Sequence, residues 1–427
     1  MEYGEVPLAP LLFQDDIIHG VRGVKEARRA NMMMNKMMKE RALTFNEDKT
    51  VYIIMGSKRQ QGEARELLKA DPLVCGNFTT KEVEVDKWLG QQLSSGGLAA
   101  SVEATVLARE AKVRGAGLEI ADIVNDWRAR AAGGLGTALL LWETCVIPSL
   151  LYGACTWVEM TAATVRRLNN IQRWFARLIL QVGPGAPLVA LTRGTGLLEM
   201  RLRVDREKLM FVLHLRSLGE ETLARQIYEE QKNKMLPGLA KETEEICKRL
   251  NIEDINKTNL SSKDFKVLVT EACKREDEAQ HIKQSDNKEK CNNIMKSTHG
   301  VQEYFEKSSL KEARETFISR TKLQPFAGNY SKDKRFLKTD WKCRCLLSKE
   351  DESHIKDGNC PIYEDIREKY DDLEDDKNLV SFFREVLSRR NALDEEISGD
   401  LLVTGVLLAD GDPGDLDASQ SGGPSPN

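Results

Sequence analysis

Leu11-Leu12-Phe13-Gln14-Asp15-Asp16-Ile17-Ile18 sets two adjacent carboxylates between two short apolar runs, Leu8–Phe13 and Ile17–Ile18. Apolar runs flanking a turn-forming pair predict a β-hairpin with Asp15 and Asp16 at or beside its tip. A hairpin tip holds carboxylates on stiff backbone, where they can ligate Mg²⁺, a hard cation that takes oxygen ligands. The same dipeptide also serves as plain turn chemistry, since Asp tolerates turn geometry and solvation. The segments that follow bear on the choice.

From Gly23 to about Leu43, Val24, Ala27, Ala30, Met33-Met34 and Met37-Met38 recur three or four apart, which predicts an amphipathic helix with a methionine stripe facing a core. Phe45–Thr50 then leads into an apolar strand, Val51–Met55, and Val83–Gly90 reads as a strand entering a turn. In this order the segments resemble the C-terminal part of the palm of a reverse transcriptase of the non-LTR (LINE-like) retrotransposon type. Phe13–Asp16 is similar to that family's aromatic-x-Asp-Asp box, Asn46–Thr50 to its Asn-x-x-Lys-Thr strand entry, and Lys87–Gly90 to its Lys-aromatic-Leu-Gly hairpin. Gln14 stands where the family usually has Ala. The resemblance implies Asp15 and Asp16 as Mg²⁺ ligands and catalytic carboxylates, and an RNA template and a DNA primer as partners. It implies Lys49 near the nucleotide phosphates, and Trp88 and Gly90 in a hairpin that grips the primer end. By residue type alone, Lys49 is equally a surface lysine beside Asp48, and Trp88 on a half-buried strand is more often a core residue than a stacking platform.

Two-metal polymerase chemistry takes carboxylates from separate strands, clamping ions about 3.5–4 Å apart. The family carries one such Asp, and its fingers, ahead of the hairpin, where this chain has only residues 1–10. The expectation is that this chain by itself does not polymerise.

At 427 residues the chain has room for two or three domains. Its net charge of −4 gives no global basic field, so any nucleic-acid binding has to come from local basic faces. Nine scattered cysteines in a chain of this size read as reduced thiols of a cytoplasmic or nuclear protein. No apolar run reaches membrane-spanning length, so no membrane association is expected.

Ser94-Ser95-Gly96-Gly97 reads as a flexible linker closing the palm-like part, and helices follow: Leu98–Val113, Leu118–Arg130, and the strongly apolar Leu135–Tyr152, which Pro148 and Gly153 bend or end. Leu150–Trp157 resembles a stretch of the family's thumb, with Cys155 where the family has Glu. Over Thr164–Leu180, Arg166, Arg167, Arg173 and Arg177 lie on one side and Val165, Leu168, Ile171, Trp174, Phe175 and Leu178 on the other. By residue type such a face is more often the solvated side of an amphipathic helix; the resemblance implies phosphate contacts to a primer–template duplex, without sequence readout. Glu220–Asn329 is dense in Lys and Glu and reads as charged helices with flexible joins.

Cys343, Cys345, His354 and Cys360 offer four soft ligands within one short segment, the number and kind that close a tetrahedral zinc site. With Cys360-Pro361-Ile362-Tyr363 and Arg367 they resemble the family's Cys-Cys-His-Cys knuckle. Only Arg344 separates the first two cysteines, fewer residues than the family normally has, which strains chelation by both thiolates; unmetallated thiols are the other reading. After Arg390 the chain carries no Lys or Arg and reads as an acidic disordered tail.

The fold expected is α+β: a partial polymerase palm over 1–95, a helical thumb over 96–235, a charged helical connector over 236–330, a knuckle region over 331–390 and the tail over 391–427. The function implied is that of a truncated RNA-directed DNA polymerase. A non-enzymatic nucleic-acid-binding protein and a decayed retrotransposon copy are the alternatives.

Overall fold

The computed structural model describes residues 11–13, 16–125, 133–183, 186–253, 260–285, 300–321, 323, 324, 326, 342–356, 358, 360–370 and 372–397. Contacts divide the chain into two units, residues 1–357 and 358–427. The described residues are mostly helical with a few small strand pairs, an α+β layout.

The first unit opens with the hairpin expected from the sequence. Strand β1 (Leu11–Phe13) pairs antiparallel with β2 (Asp16–Ile18), Phe13 opposite Asp16. Helix α1 (Gly23–Glu40) follows, but its methionines are not core residues. Met32 and Met33 are 67% and 62% exposed, and Val24 alone is buried. The docking face runs instead through Arg28, Asn31 and Asn35, also three and four apart. Asn31 and Asn35 donate to the Val74 carbonyl at 2.7 and 2.8 Å, and Arg28 donates to those of Leu67 and Asp71. Polar hooks attach this helix to its neighbours, while Met34, Met37 and Met38 of the expected stripe are half-buried and Met33 is exposed.

Asn46 organises the turn into the next strand: its carbonyl accepts from the Thr50 amide and hydroxyl, and its side chain accepts from the Asp48 amide. Only the first two residues of the expected strand form β3 (Val51–Tyr52), which pairs in parallel with β6 (Lys81–Glu82). Helix α2 (Lys58–Ala70), started by a Ser57–Gln60 capping box, and the small hairpin β4 (Val74–Cys75) and β5 (Phe78–Thr79) lie between them in sequence. The hairpin of β7 (Val85–Trp88) and β8 (Gln91–Ser94) completes the strands. Among the described residues every sheet has two strands.

Residues 94–97 form a hydrogen-bonded join, not a flexible linker. The Ser101 hydroxyl accepts from the Ser94 amide and the Thr105 hydroxyl from the Gln92 amide, which fastens β8 along α3 (Leu98–Asn125). This α3 is one helix where the sequence suggested two. Gly117 keeps it close to the next helices: a Cβ there would come within 2.8 Å of the Trp174 ring.

The main core joins α3, α4 (Gly134–Leu141), α5 (Ile147–Leu150), α6 (Ala162–Leu180) and α7 (Leu188–Thr195), with α12 (Glu303–Lys307) and α13 (Leu310–Arg320) against it. Trp142 is fully buried and stacks on Phe175 at 4.0 Å. Residues Trp142–Val146 open into a π-turn just before Pro148, which has no N–H to donate to the helix ladder. The helix ends at Leu150.

A second core links α8 (Met200–Ser217), α9 (Leu223–Asn233), α10 (Leu239–Leu250) and α11 (Ser262–Ser285) through Leu209, Tyr228, Ile246, Phe265 and Val269. Much of the charged stretch is therefore packed helix. The unit ends at α14 (Glu352–Lys356).

In the second unit, α15 (Glu364–Arg367) and α16 (Asp376–Ile397) bury Tyr363, Ile366, Phe382 and Phe383. Arg389 holds the Asp365 carboxylate with two N–H groups. Residues 398–427, most of the expected tail, lie outside the described residues. Among those described, no helix is long and apolar enough to cross a membrane.

Candidate functional site

Three places gather the residues singled out by sequence. The first is a candidate metal centre. The Lys342–Lys349 bridge closes a short turn, within which Cys343 donates its amide to the Ser348 carbonyl and Leu346 donates to the Cys343 carbonyl. Leu346 sits in the left-handed region (φ 62°), which folds the chain back tightly enough for the one-residue Cys-x-Cys spacing. The Leu347 amide then donates to Cys345 Sγ at 3.4 Å. Helix α14 supplies His354, whose Nε2 lies 3.0 Å from Cys345 Sγ. Cys360 precedes the 3₁₀ turn Pro361–Tyr363.

The ligand atoms of Cys343, Cys345, His354 and Cys360 all lie within 4.8 Å of one another, and this group can hold a metal ion. Cys343, His354 and Cys360 are buried and Cys345 is half-buried, so the close spacing brings both of the first two sulfurs into the group after all.

The second place is the β7–β8 hairpin. Its loop, Leu89 (φ 46°) and Gly90 (φ 79°), has both central residues left-handed, the geometry that matches strand twist. Lys87 is exposed and Trp88 half-buried, its Nε1 enclosed without a hydrogen-bond partner. The hairpin is clamped to the Leu150–Trp157 segment, the other stretch singled out by its likeness to the family. Gln91 donates to the Tyr152 carbonyl at 2.6 Å and accepts from Trp157 Nε1 at 2.9 Å. Arg109, from α3, donates to the carbonyls of Leu150, Tyr152 and Gly90 at 2.7–2.8 Å, its guanidinium 5.8 Å from the ring centres of Tyr152 and Trp157. Burial pushes the Arg109 pKa down.

Both glycines of the clamp have left-handed backbone, which favours glycine, and a side chain on either would also crowd its neighbour. A Cβ on Gly90 would lie 3.3 Å from the Tyr152 ring, and one on Gly153 (φ 70°) would lie 2.2 Å from Gln91 Nε2. Sequence reading missed Gln91 and Arg109. Neither belongs to a motif, and Arg109 looks like any arginine on a helix.

The third place is α6. Arg166 is exposed and Arg167, Arg173 and Arg177 are half-buried, so the four do not form one solvated face. Arg167 donates to Glu110, which Arg114 also holds. Burial works against the Glu110 charge, yet the two guanidiniums outweigh it and keep its carboxyl below the usual range. Arg114 in turn lies over the Trp174 ring at 4.9 Å. Arg173 and Arg177 form no ion pair among the described residues, and burial lowers both pKa values. Glu199 partly offsets this for Arg173, whereas Arg173 itself adds to it for Arg177.

Of the hairpin carboxylates, Asp15 lies outside the described residues and Asp16 is placed by its backbone alone, first in β2. Lys49 is exposed in the Asn46–Thr50 turn. No family model, curated protein or solved structure matches the chain.

Proposed function

We propose that this chain is the palm-hairpin, thumb and knuckle portion of a reverse transcriptase of the non-LTR retrotransposon type, and that it holds an RNA template and a DNA primer. One observation carries the reading. Lys87–Gly90 and Leu150–Trp157, two stretches far apart in sequence and each similar to a family motif, meet through Gln91 and Arg109. On this reading Trp88 and Gly90 belong to the surface that meets the primer end. Asp15 and Asp16 are the Mg²⁺ ligands for attack of a primer 3′-hydroxyl on a nucleotide α-phosphate, with Lys49 near the phosphates. Cys343, Cys345, His354 and Cys360 bind Zn²⁺, the ion whose preferred ligands are thiolate and imidazole in a closed set of four.

Binding of an RNA/DNA primer–template, measured by anisotropy across a salt series, tests the reading. Loss of Arg166, Arg173 and Arg177 to Gln should lower the salt slope by about two to three. An unchanged slope, or no binding by the parent chain, overturns it. Primer extension on poly(rA)/oligo(dT) above a metal-free control would give the chain a polymerase activity of its own, against the expectation that it does not polymerise alone. A non-enzymatic nucleic-acid-binding protein is the second reading. It is favoured by Arg173 and Arg177, two neighbouring cations that form no ion pair among the described residues.

A further inference from the structure

Helix α7 belongs to the main core and α11 to the second, and where the two helices meet the enclosed side chains are polar. Thr192, Arg193, Asp277 and His281 are all buried there. The His281 ring stands between two of them. Its Nε2 lies 2.9 Å from the Thr192 hydroxyl, and its Nδ1 lies 3.6 Å from Asp277 Oδ2, one turn earlier on α11. The other Asp277 oxygen accepts from the Glu199 amide at 3.1 Å, and the Thr192 hydroxyl donates to the Leu188 carbonyl at 3.1 Å. Hydroxyl, imidazole and carboxylate in a row is the order of a nucleophile relay. Thr192, however, is buried and turns its proton onto the backbone of its own helix, which suits a fastening and not a nucleophile.

The protons in this row can be counted. With its one hydroxyl proton on the Leu188 carbonyl, Thr192 accepts from His281 Nε2–H. A neutral ring then turns a bare Nδ1 toward the Asp277 carboxylate, acceptor against acceptor. A proton on Nδ1 completes all three contacts at once. The elements packed around α11 carry further charges. Arg193 of α7 donates to Glu278, and Asp205 of α8 pairs with Arg249 of α10. Between α7 and α8, burial holds the Glu199 carboxyl above its usual range; Asp277 and Asp205 add to this, while Asn169 and Arg201 oppose it. Burial and Arg193 work against a charged ring, whereas Asp277 and Glu199 work for it. We propose that His281 is a proton-dependent latch between α7 and α11: protonated at Nδ1 it bridges Thr192 to Asp277, and loss of that proton loosens the two helices. Histidine is the side chain whose charge changes near neutral pH. Because the closed joint is complete only with the extra proton, the latch is fully set at acid pH and is lost as pH rises through the ring's titration in the folded chain. The latch stands whether or not the chain binds nucleic acid.

The test is amide hydrogen exchange of the full chain at pH 5.5 and pH 8, corrected for the intrinsic pH dependence of exchange and read over α7 and the end of α11. Protection there should fall about tenfold in the parent between the two pH values, which corresponds to one unit of proton linkage. His281→Gln keeps a donor near the Nε2 position and cannot take the proton, so its protection over α7 should be the same at both pH values. Asp277→Asn keeps the ring and removes the carboxylate, and it should flatten the pH dependence in the same way. It serves alone if the glutamine variant does not fold. Imidazole ¹⁵N spectra, with the His281 signals assigned by their loss in the glutamine variant or their shift in the asparagine one, should show both ring nitrogens protonated at pH 5.5.

Equal protection of the parent at the two pH values overturns the inference. So does a fall in protection that the variants share, and so does a His281 Nδ1 that stays unprotonated at pH 5.5. A merely structural histidine would lower protection when replaced, by the same factor at both pH values, and would leave the parent without the pH dependence.

Discussion

Gly153 is the least replaceable residue of the clamp. Its backbone is left-handed, and an added Cβ would collide with Gln91 Nε2 at 2.2 Å. Gly153→Ala should destabilise the first unit by about 2–3 kcal/mol, measured by urea denaturation followed through tryptophan fluorescence. Arg167 behaves unlike the other arginines of α6, because its guanidinium is committed to Glu110. Arg167→Gln should lower stability and leave the salt slope of nucleic-acid binding unchanged, as comparison of melting and anisotropy would show. In the second unit the Arg389 guanidinium holds the Asp365 carboxyl down, from 3.8 to about 2. A depressed carboxyl pKa means the folded state binds the proton less readily than the unfolded state. The contribution is therefore full above about pH 4 and is lost as pH falls through about 2. NMR titration of the Asp365 side chain should show the low midpoint, and Arg389→Gln should return it toward the ordinary range. Burial works in the opposite direction on Cys273, whose thiol is pushed up to about 12. It should resist maleimide at pH 8 in the folded chain while the exposed Cys145 reacts, with mass spectrometry reading the two.

Sequence pattern served the elements unevenly, for identifiable reasons. The hairpin strands at 11–13 and 16–18 were legible because two apolar runs flank a turn-forming pair, and the helix at 162–180 because its apolar residues recur at the helical period. Helix α1 was placed correctly, but the hydrogen bonds that attach it were not foreseen: periodicity reports where apolar residues lie, and Arg28, Asn31 and Asn35 supply polar hooks beside a stripe that is only half-buried. The break expected between Val113 and Leu118 did not occur: Gly117 lies inside α3, where it lets Trp174 approach. The linker expected at 94–97 turned out to be fastened by Ser101 and Thr105, whose hydroxyls accept from β8 in a way no composition signal announces. At the candidate sites the four metal ligands were legible from spacing and residue type, while Gln91 and Arg109 were not, since their roles exist only once distant segments meet. Arg109→Ala should release the hairpin from α3. We expect about 3 kcal/mol of lost stability, from a charged donor withdrawn from three carbonyls, and faster amide exchange over 85–94.

For the chain as a whole, the segment with the tightest demand on chemistry is the group at Cys343, Cys345, His354 and Cys360. Chelation by EDTA should lower the melting temperature, and Zn²⁺ but not Mg²⁺ should restore it, because thiolates and imidazole suit the softer ion. Elsewhere the chain is held by two helical cores that differ in kind. One is built on stacked aromatics around Trp142, and the other is ringed by ion pairs such as Arg249–Asp205.

The clamp between Gly90, Gln91 and the Tyr152–Gly153 pair also bears on how such a chain can vary by descent. Glycine at 90 and 153 leaves the room that Tyr152 and Gln91 occupy, so each pair fits as a lock and its key. A crossover between Ser95 and Leu150 joins a lock from one parent to a key from another. Chimaeras cut there should fail unless both parents carry the same pairs, whereas cuts at 183–186 leave the interlock whole.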